Sequence, residues 1–321
     1  TVASAGKLWL NEASGSSIAN TITNTGLVDF TQAGSLTVAG TISGTGTVIQ
    51  SGSGATTLTA ANTYTGPTKI SAGVLAAGTI GALGANSAVT INSGATLDLA
   101  GQPLSIGSLS GSGVVSNTAT TAASVIAGGD LTSTVFSGII QDAAGQVSLT
   151  HVGTGSLTLT GSNTYTGPTT ITAGSLQIGN GSTGSISASS AVSINSGGTL
   201  WLNTPNGASF ANSVTNVGVL DFMQGGSLSV PGTIVGNGTL IQSGAGRTTL
   251  KAINTYTGPV NITAGVLATG SSGAMGTNAP VTISGGATLD LAGQSVSIGM
   301  LSGSGVITDS ATTASTLTTR N

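Results

Sequence analysis

Gly153-Thr154-Gly155-Ser156-Leu157-Thr158-Leu159-Thr160-Gly161-Ser162-Asn163-Thr164-Tyr165-Thr166-Gly167 is the stretch on which the fold turns. Leu157 and Leu159 alternate with Thr158 and Thr160, the period of two that gives a strand one apolar and one polar face. Glycines punctuate both ends. The hexapeptide Asn163-Thr164-Tyr165-Thr166-Gly167-Pro168 closes the stretch and recurs as Asn62-Thr63-Tyr64-Thr65-Gly66-Pro67 and Asn254-Thr255-Tyr256-Thr257-Gly258-Pro259. Each copy has a Thr/Leu strand before it (Thr57-Leu58-Thr59, Thr249-Leu250-Lys251) and an Ile-x-Ala-Gly step after it, at Ile70–Gly73, Ile171–Gly174 and Ile262–Gly265. The asparagines are of the kind that bond turn backbone, and the three tyrosines are expected to be structural at each turn.

A larger repeat overlies this one. Trp9 and Trp201, Asp29 and Asp221, Tyr64 and Tyr256, and Asp98 and Asp290 are each 192 residues apart. Between Gly81–Val115 and Gly273–Ile307, 25 of 35 positions are identical without an insertion. The expected organisation is one continuous solenoid over 1–321, with repeats at about 40–137, 138–231 and 232–321, a partial repeat at 1–39, and 1–129 matching 193–321.

Elsewhere the same alternation holds, as in Val89-Thr90-Ile91, Leu36-Thr37-Val38 and Thr96-Leu97-Asp98-Leu99, and nothing carries a helical period. Short strands suit an antiparallel sandwich or a parallel β-helix. Near-identical repeats favour the β-helix, because equivalent residues then stack into ladders. The predicted fold is all-β, a parallel β-helix of about 14 coils at roughly 20–24 residues each, a rod roughly 70 Å long. With few aromatic residues, its interior is expected to be a narrow column of Val, Ile, Leu and Ala. Alternation places Leu97 and Leu99 inside, and Asp98, Asp290, Asp29 and Asp221 outside, so Asp98→Thr is expected to be nearly neutral.

Composition excludes several classes. Only 4% of residues are charged, and net charge is −3. Yet no apolar run reaches the roughly 18 residues of a spanning helix. Lys7, Lys69, Arg247, Lys251 and Arg320 are scattered, unlike a nucleic-acid footprint. The absence of cysteine rules out disulfides, thiolate metal sites and a thiol nucleophile. Thr1 opens no basic-then-apolar leader and neither end carries a polar cap, as expected of a mature form or a piece of a longer array.

The segments Gly40–Leu75, Gly138–Leu176 and Gly232–Leu267 resemble the passenger-associated transport repeat of bacterial autotransporters: GxIxGxG, then GxGxLTLxGxNTYTG, then TxIxAGxL. The resemblance implies a right-handed β-helix, secreted by the type V route and displayed at the cell surface through an outer-membrane barrel of the same parent protein. It also implies that the repeats assist export and folding.

Chemistry is sparse. His151 is the sole histidine, expected at the solvated surface, and no Gly-x-Ser-x-Gly motif accompanies it. The acids Glu12, Asp29, Asp98, Asp130, Asp142, Asp221, Asp290 and Asp309 form no obvious pair for glycoside hydrolysis. Gly128-Gly129-Asp130 is a lone echo of a calcium-binding repeat. No cofactor, metal or small-molecule substrate is expected. The functional expectation is an adhesive or self-associating passenger stalk whose partners are copies of itself, or a host or abiotic surface. The rivals are a β-helical polysaccharide-active enzyme and an ice- or surface-binding threonine ladder.

Overall fold

The computed structural model describes residues 1–320 as an all-β β-solenoid of about 16 turns, with parallel pairing between its strands and no helix among the described residues. The turn count exceeds the expected 14 because most turns use 20 or 21 residues. Lys7 pairs with Leu27, Leu27 with Thr47, Val48 with Thr68 and Thr68 with Val89. Strands divide between two compact units, Thr1–Gly167 and Pro168–Asn321.

In the first unit one sheet runs through Lys7–Leu10, Leu27–Phe30, Thr47–Gln50, Thr68–Ile70, Ala88–Ile91 and Ser108–Gly111. A second runs from Ser16–Ile18 through Ser35–Val38, Ala55–Leu58, Val74–Ala77, Thr96–Asp98 and Val114–Ser116 to Ile139–Ile140. Inward side chains stack one turn above another. Leu36, Thr56, Leu75, Leu97, Val115 and Ile140 form one buried column. The second unit repeats it with Leu228, Thr248, Leu267, Leu289 and Ile307, the last of them partly exposed. Burial of such a stack, at about 25 cal/mol per Å² of apolar surface, is the main stabilising term.

The polar member of each column is satisfied. Thr56 donates its hydroxyl to Gln50 Oε1 (2.6 Å) and accepts from Gln32 Nε2 (2.7 Å). Thr248 does the same with Gln242 and Gln224 (2.5 and 2.6 Å). Such a linked chain avoids the desolvation penalty of a lone buried hydroxyl.

Glycines sit where turns meet most closely. Gly44 has φ +102°, and a Cβ there would lie 2.1 Å from the Asn24 carbonyl oxygen. Its counterpart Gly236 has φ +108° and would clash with Asn216 in the same way. The turn spacing of roughly 4.8 Å leaves no room for a side chain at that corner.

The interior takes more rings than its composition promises. All four phenylalanines and all three tyrosines are buried. Phe30, Phe136 and Phe222 end strands of the stacked sheets, and the tyrosines lie in the turns of the recurring hexapeptide.

Candidate functional site

The recurring hexapeptide is built as a buried clamp between turns. Asn62 Oδ1 accepts the Ile42 N–H of the preceding turn (2.6 Å), and its Nδ2 donates to the Ala82 carbonyl of the next (2.5 Å). Asn254 does likewise with Ile234 and Ala274, both at 2.8 Å. Asn163 Oδ1 accepts from Ile140 N (2.9 Å), while its Nδ2 turns locally to the Gly161 carbonyl (3.0 Å). One amide therefore serves a donor and an acceptor that the corner would otherwise leave unpaired.

Tyr64, Tyr165 and Tyr256 lie beside these asparagines, all buried. The Tyr64 hydroxyl shares a hydrogen bond with Thr68 Oγ1 (2.8 Å), which meets Ser87 Oγ (2.8 Å), and Ser87 donates to the Gly66 carbonyl (2.8 Å). Burial pushes the Tyr64 hydroxyl up to about 12 despite those bonds, and burial raises Tyr256 as well. A Cβ at Gly66, Gly167 or Gly258 would lie 2.0–2.3 Å from a carbonyl oxygen of another turn, at Gly46, Val147 and Gly238 respectively. The Pro67 and Pro259 carbonyls accept Val48 N and Leu240 N (3.0 and 2.9 Å). Pro168 opens the second compact unit.

The acids depart from expectation. Asp98, Asp290 and Asp221 are buried rather than exposed, and Asp29 is half-buried. Alternation does turn Asp98 away from Leu97, but the following turn folds over it. Its Oδ1 accepts Ala100 N and Thr118 N (both 3.0 Å), and its Oδ2 accepts the Thr118 hydroxyl (2.5 Å). Asp290 repeats the arrangement with Ala292 and Ser310 and adds Arg247 Nη2 at 2.6 Å. Asp142 accepts from Val147 N and from the Thr166 N–H and hydroxyl. These carboxylates are occupied as turn staples. A Thr or Ser 20 to 24 residues downstream was the available sequence signal, meaningful only once the turn length is known.

His151 is also inside, at 1% exposure, because it occupies the fifth position of the alternating strand Val147–His151. Nε2 lies 3.0 Å from the Gly155 carbonyl, while Nδ1 has no partner. Burial lowers its pKa below the usual value against two backbone carbonyls that raise it. The neutral ring is thus favoured in the folded state, so His151 contributes no penalty above its unfolded pKa near 6.5. Stability falls as pH drops below about 6.5 towards the lowered folded value. His151→Leu should flatten that loss in thermal melts across the acid range. An unchanged pH slope in the variant would assign the loss to other groups.

Among the described residues, no three His, Asp or Glu side chains gather as a metal ligand set. What the solenoid presents outward is a sheet face. One column runs Trp9, Asp29, Ile49, Lys69, Thr90 and Ser110, and in the second unit Trp201, Asp221, Ile241, Asn261, Thr282 and Ser302, of which Asp221 is buried. Hydroxyls bond along it, Thr90 to Ser110 at 2.9 Å and Thr282 to Ser302 at 3.0 Å. Ser51 donates to Asp29 and Ser243 to Asp221, both at 2.7 Å. Burial raises the Asp221 carboxyl against the Ser243 bonds that lower it.

The corner clamps of this parallel β-solenoid fall within segments that the comparisons with known proteins also single out. The passenger-associated transport repeat matches residues 48–77, 149–178 and 240–268. Over 157 residues, 48% of its length, the chain is 38% identical to the adhesin BmaC autotransporter of Brucella suis biovar 1 (strain 1330). It spans 4% of that relative's length. Three segments of the chain thus match the passenger-associated transport repeat, and about half of the chain is similar to a short part of an autotransporter adhesin.

Proposed function

We propose that this region is an adhesive and self-associating spacer, without catalysis, in a passenger carried by an outer-membrane barrel elsewhere in the parent protein. The observation that carries the reading is the outward face. Ser17, Thr37 and Thr57 stack on consecutive turns of one sheet, as do Ser229 and Thr249 in the second unit. Charges are few, so such faces meet with little repulsion and many hydrogen-bonding groups. Each bond contributes only about 0.5–1.5 kcal/mol net, but repetition along many turns accumulates as multivalent attachment. The adhesin relative supports the same reading. Asp98, Asp290 and His151 support the non-catalytic part, since they are buried and held by structural bonds.

Sedimentation of the purified chain should show concentration-dependent association that changes little with salt, because screening acts on ion pairs. Cells displaying the region should clump. A monomer at every concentration, on cells that neither clump nor coat a surface, would leave only the spacer role. Turnover on polysaccharides, esters or peptides that is abolished by altering one Asp or His151 would overturn the non-catalytic reading.

A further inference from the structure

We propose that the hydroxyl-bearing face on which the recurring hexapeptide lies docks onto ice. The proposal deepens the surface-binding part of the reading above by naming the surface. Within the hexapeptide Asn and Tyr are buried, so alternation turns the threonines outward, and Thr63, Thr65, Thr255 and Thr257 are exposed. Neighbouring turns continue the pattern. Ile22 pairs with Ile42 and Thr23 with Ser43, while Thr63 N and Thr65 N donate to the Ile42 and Gly44 carbonyls (3.0 and 2.8 Å). Thr23, Ser43 and Thr63 therefore form one outward column, with Thr21 and Thr41 on one side and Thr45 and Thr65 on the other. Thr41, Ser43 and Thr45 have a turn on either side of their own, so their outward placement does not depend on an end of the stack. In the second unit the central column runs through Thr170, Ser193, Thr215, Val235 and Thr255 on successive turns.

The chemistry of the face selects its ligand. Positions repeat about 4.8 Å apart between turns and roughly 6.6 Å apart along a strand, because alternate residues share a face. Buried amides hold this grid, Asn62 at Ile42 and Ala82 and Asn254 at Ile234 and Ala274, so little order is left to impose on binding. These outward positions carry no charge and no ring. A mineral or acidic surface calls for charge, and a crystalline polysaccharide for exposed rings that stack on its sugars. A discrete small molecule takes a concave site, whereas this is an open sheet face. Size argues against a protein partner, since three turns by three alternate residues cover roughly 10 by 13 Å, and a stable interface needs roughly 800 Å² per partner. A neutral grid with two repeats suits a neutral lattice that donates and accepts at every point, as a hydroxyl does. The surface of ice is such a lattice. The γ-methyl beside each threonine hydroxyl sheds loosely held water, and repetition over the turns of both units adds weak contacts into useful avidity.

Slow freezing of a dilute solution of the purified chain onto a cold surface should enrich it in the ice fraction relative to serum albumin. A seeded crystal in the same solution should show a gap between its melting and freezing temperatures. Ser43→Lys combined with Thr215→Lys places a long charged side chain at the centre of each grid and should return both readings to those of albumin. Circular dichroism and the melting temperature should stay close to those of the parent, because both positions point outward. Thr57→Lys, an outward position on a different sheet, should keep the parent's ice fraction. The proposal is overturned by a parent that ice excludes as it excludes albumin, by an ice fraction that the double variant retains, or by binding to microcrystalline cellulose or chitin in place of ice. Clumping of cells at room temperature is read separately. If cells displaying the parent clump while ice excludes the chain, the ice face falls and the adhesive reading stands. A chain that enters ice yet stays monomeric and clumps no cells keeps the ice face and loses self-association.

Discussion

Leu97→Asp is expected to lower the unfolding free energy by about 5 kcal/mol. Leu97 is fully buried in the column between Leu75 and Val115. Removing its side chain forfeits roughly 2–5 kcal/mol of burial and packing, and the new carboxylate finds no partner there. Because each turn contacts only its neighbours, the damage should spread from Thr96–Asp98 to the adjoining turns. Hydrogen exchange should therefore rise first around Val74–Ala77 and Val114–Ser116. The substitution next door is the sharper comparison. Alternation alone makes Asp98→Thr nearly neutral, but the three hydrogen bonds to its carboxylate raise the expected loss to about 2–3 kcal/mol. Equal losses at the two positions would refute the assigned register, and a neutral Asp98→Thr would refute the staple.

Acid should weaken the second unit in a way that depends on one ion pair. Burial pushes the Asp290 carboxyl up, but bonds from the Ser310 hydroxyl and N–H, Arg247 and Ala292 N–H outweigh it and hold the group at about 2. A folded-state value below the unfolded one of 3.8 means stability that is fully present above about pH 4 and lost as pH falls towards 2. The shift corresponds to on the order of 2 kcal/mol, less a part for solvent screening, since Arg247 is 39% exposed against 1% for Asp290. The duplicated position supplies the control. Asp98 has the same turn bonds, but Ala55 stands where Arg247 stands in the other copy. Denaturation midpoints of wild type and Asp290→Asn should converge between pH 4 and pH 2, and Arg247→Ala should shrink the initial gap. A gap that is constant with pH would show that Asp290 does not titrate with folding.

The repeats and the solenoid were legible because both rest on periodicity. Alternation at Leu157–Thr160 needs only the two-residue period of a strand, and near-identity at 192 residues shows one architecture repeated along the chain. The candidate site was legible only as residue types. That Tyr64 would be structural followed from its place in a repeated turn, but that Asn62 bridges Ile42 and Ala82 could not be read, because sequence spacing does not show which backbone groups a corner leaves unpaired.

The sequence by itself determined the 192-residue repeat and the alternating faces of the strands, since each is a pattern in the residues themselves that repetition amplifies. The tertiary structure decided how many residues make a turn, and with that what lies above each side chain. At about 20 residues per turn, Thr118 falls over Asp98 and Ser310 over Asp290, so residues that alternation turns outward are covered. His151 is a different case, since as the fifth residue of an alternating strand it shares the inward face of Val147 and Leu149. Whether a polar group facing away from the core meets water or the next turn is settled by stacking, a contact between residues some 20 apart that no local pattern encodes.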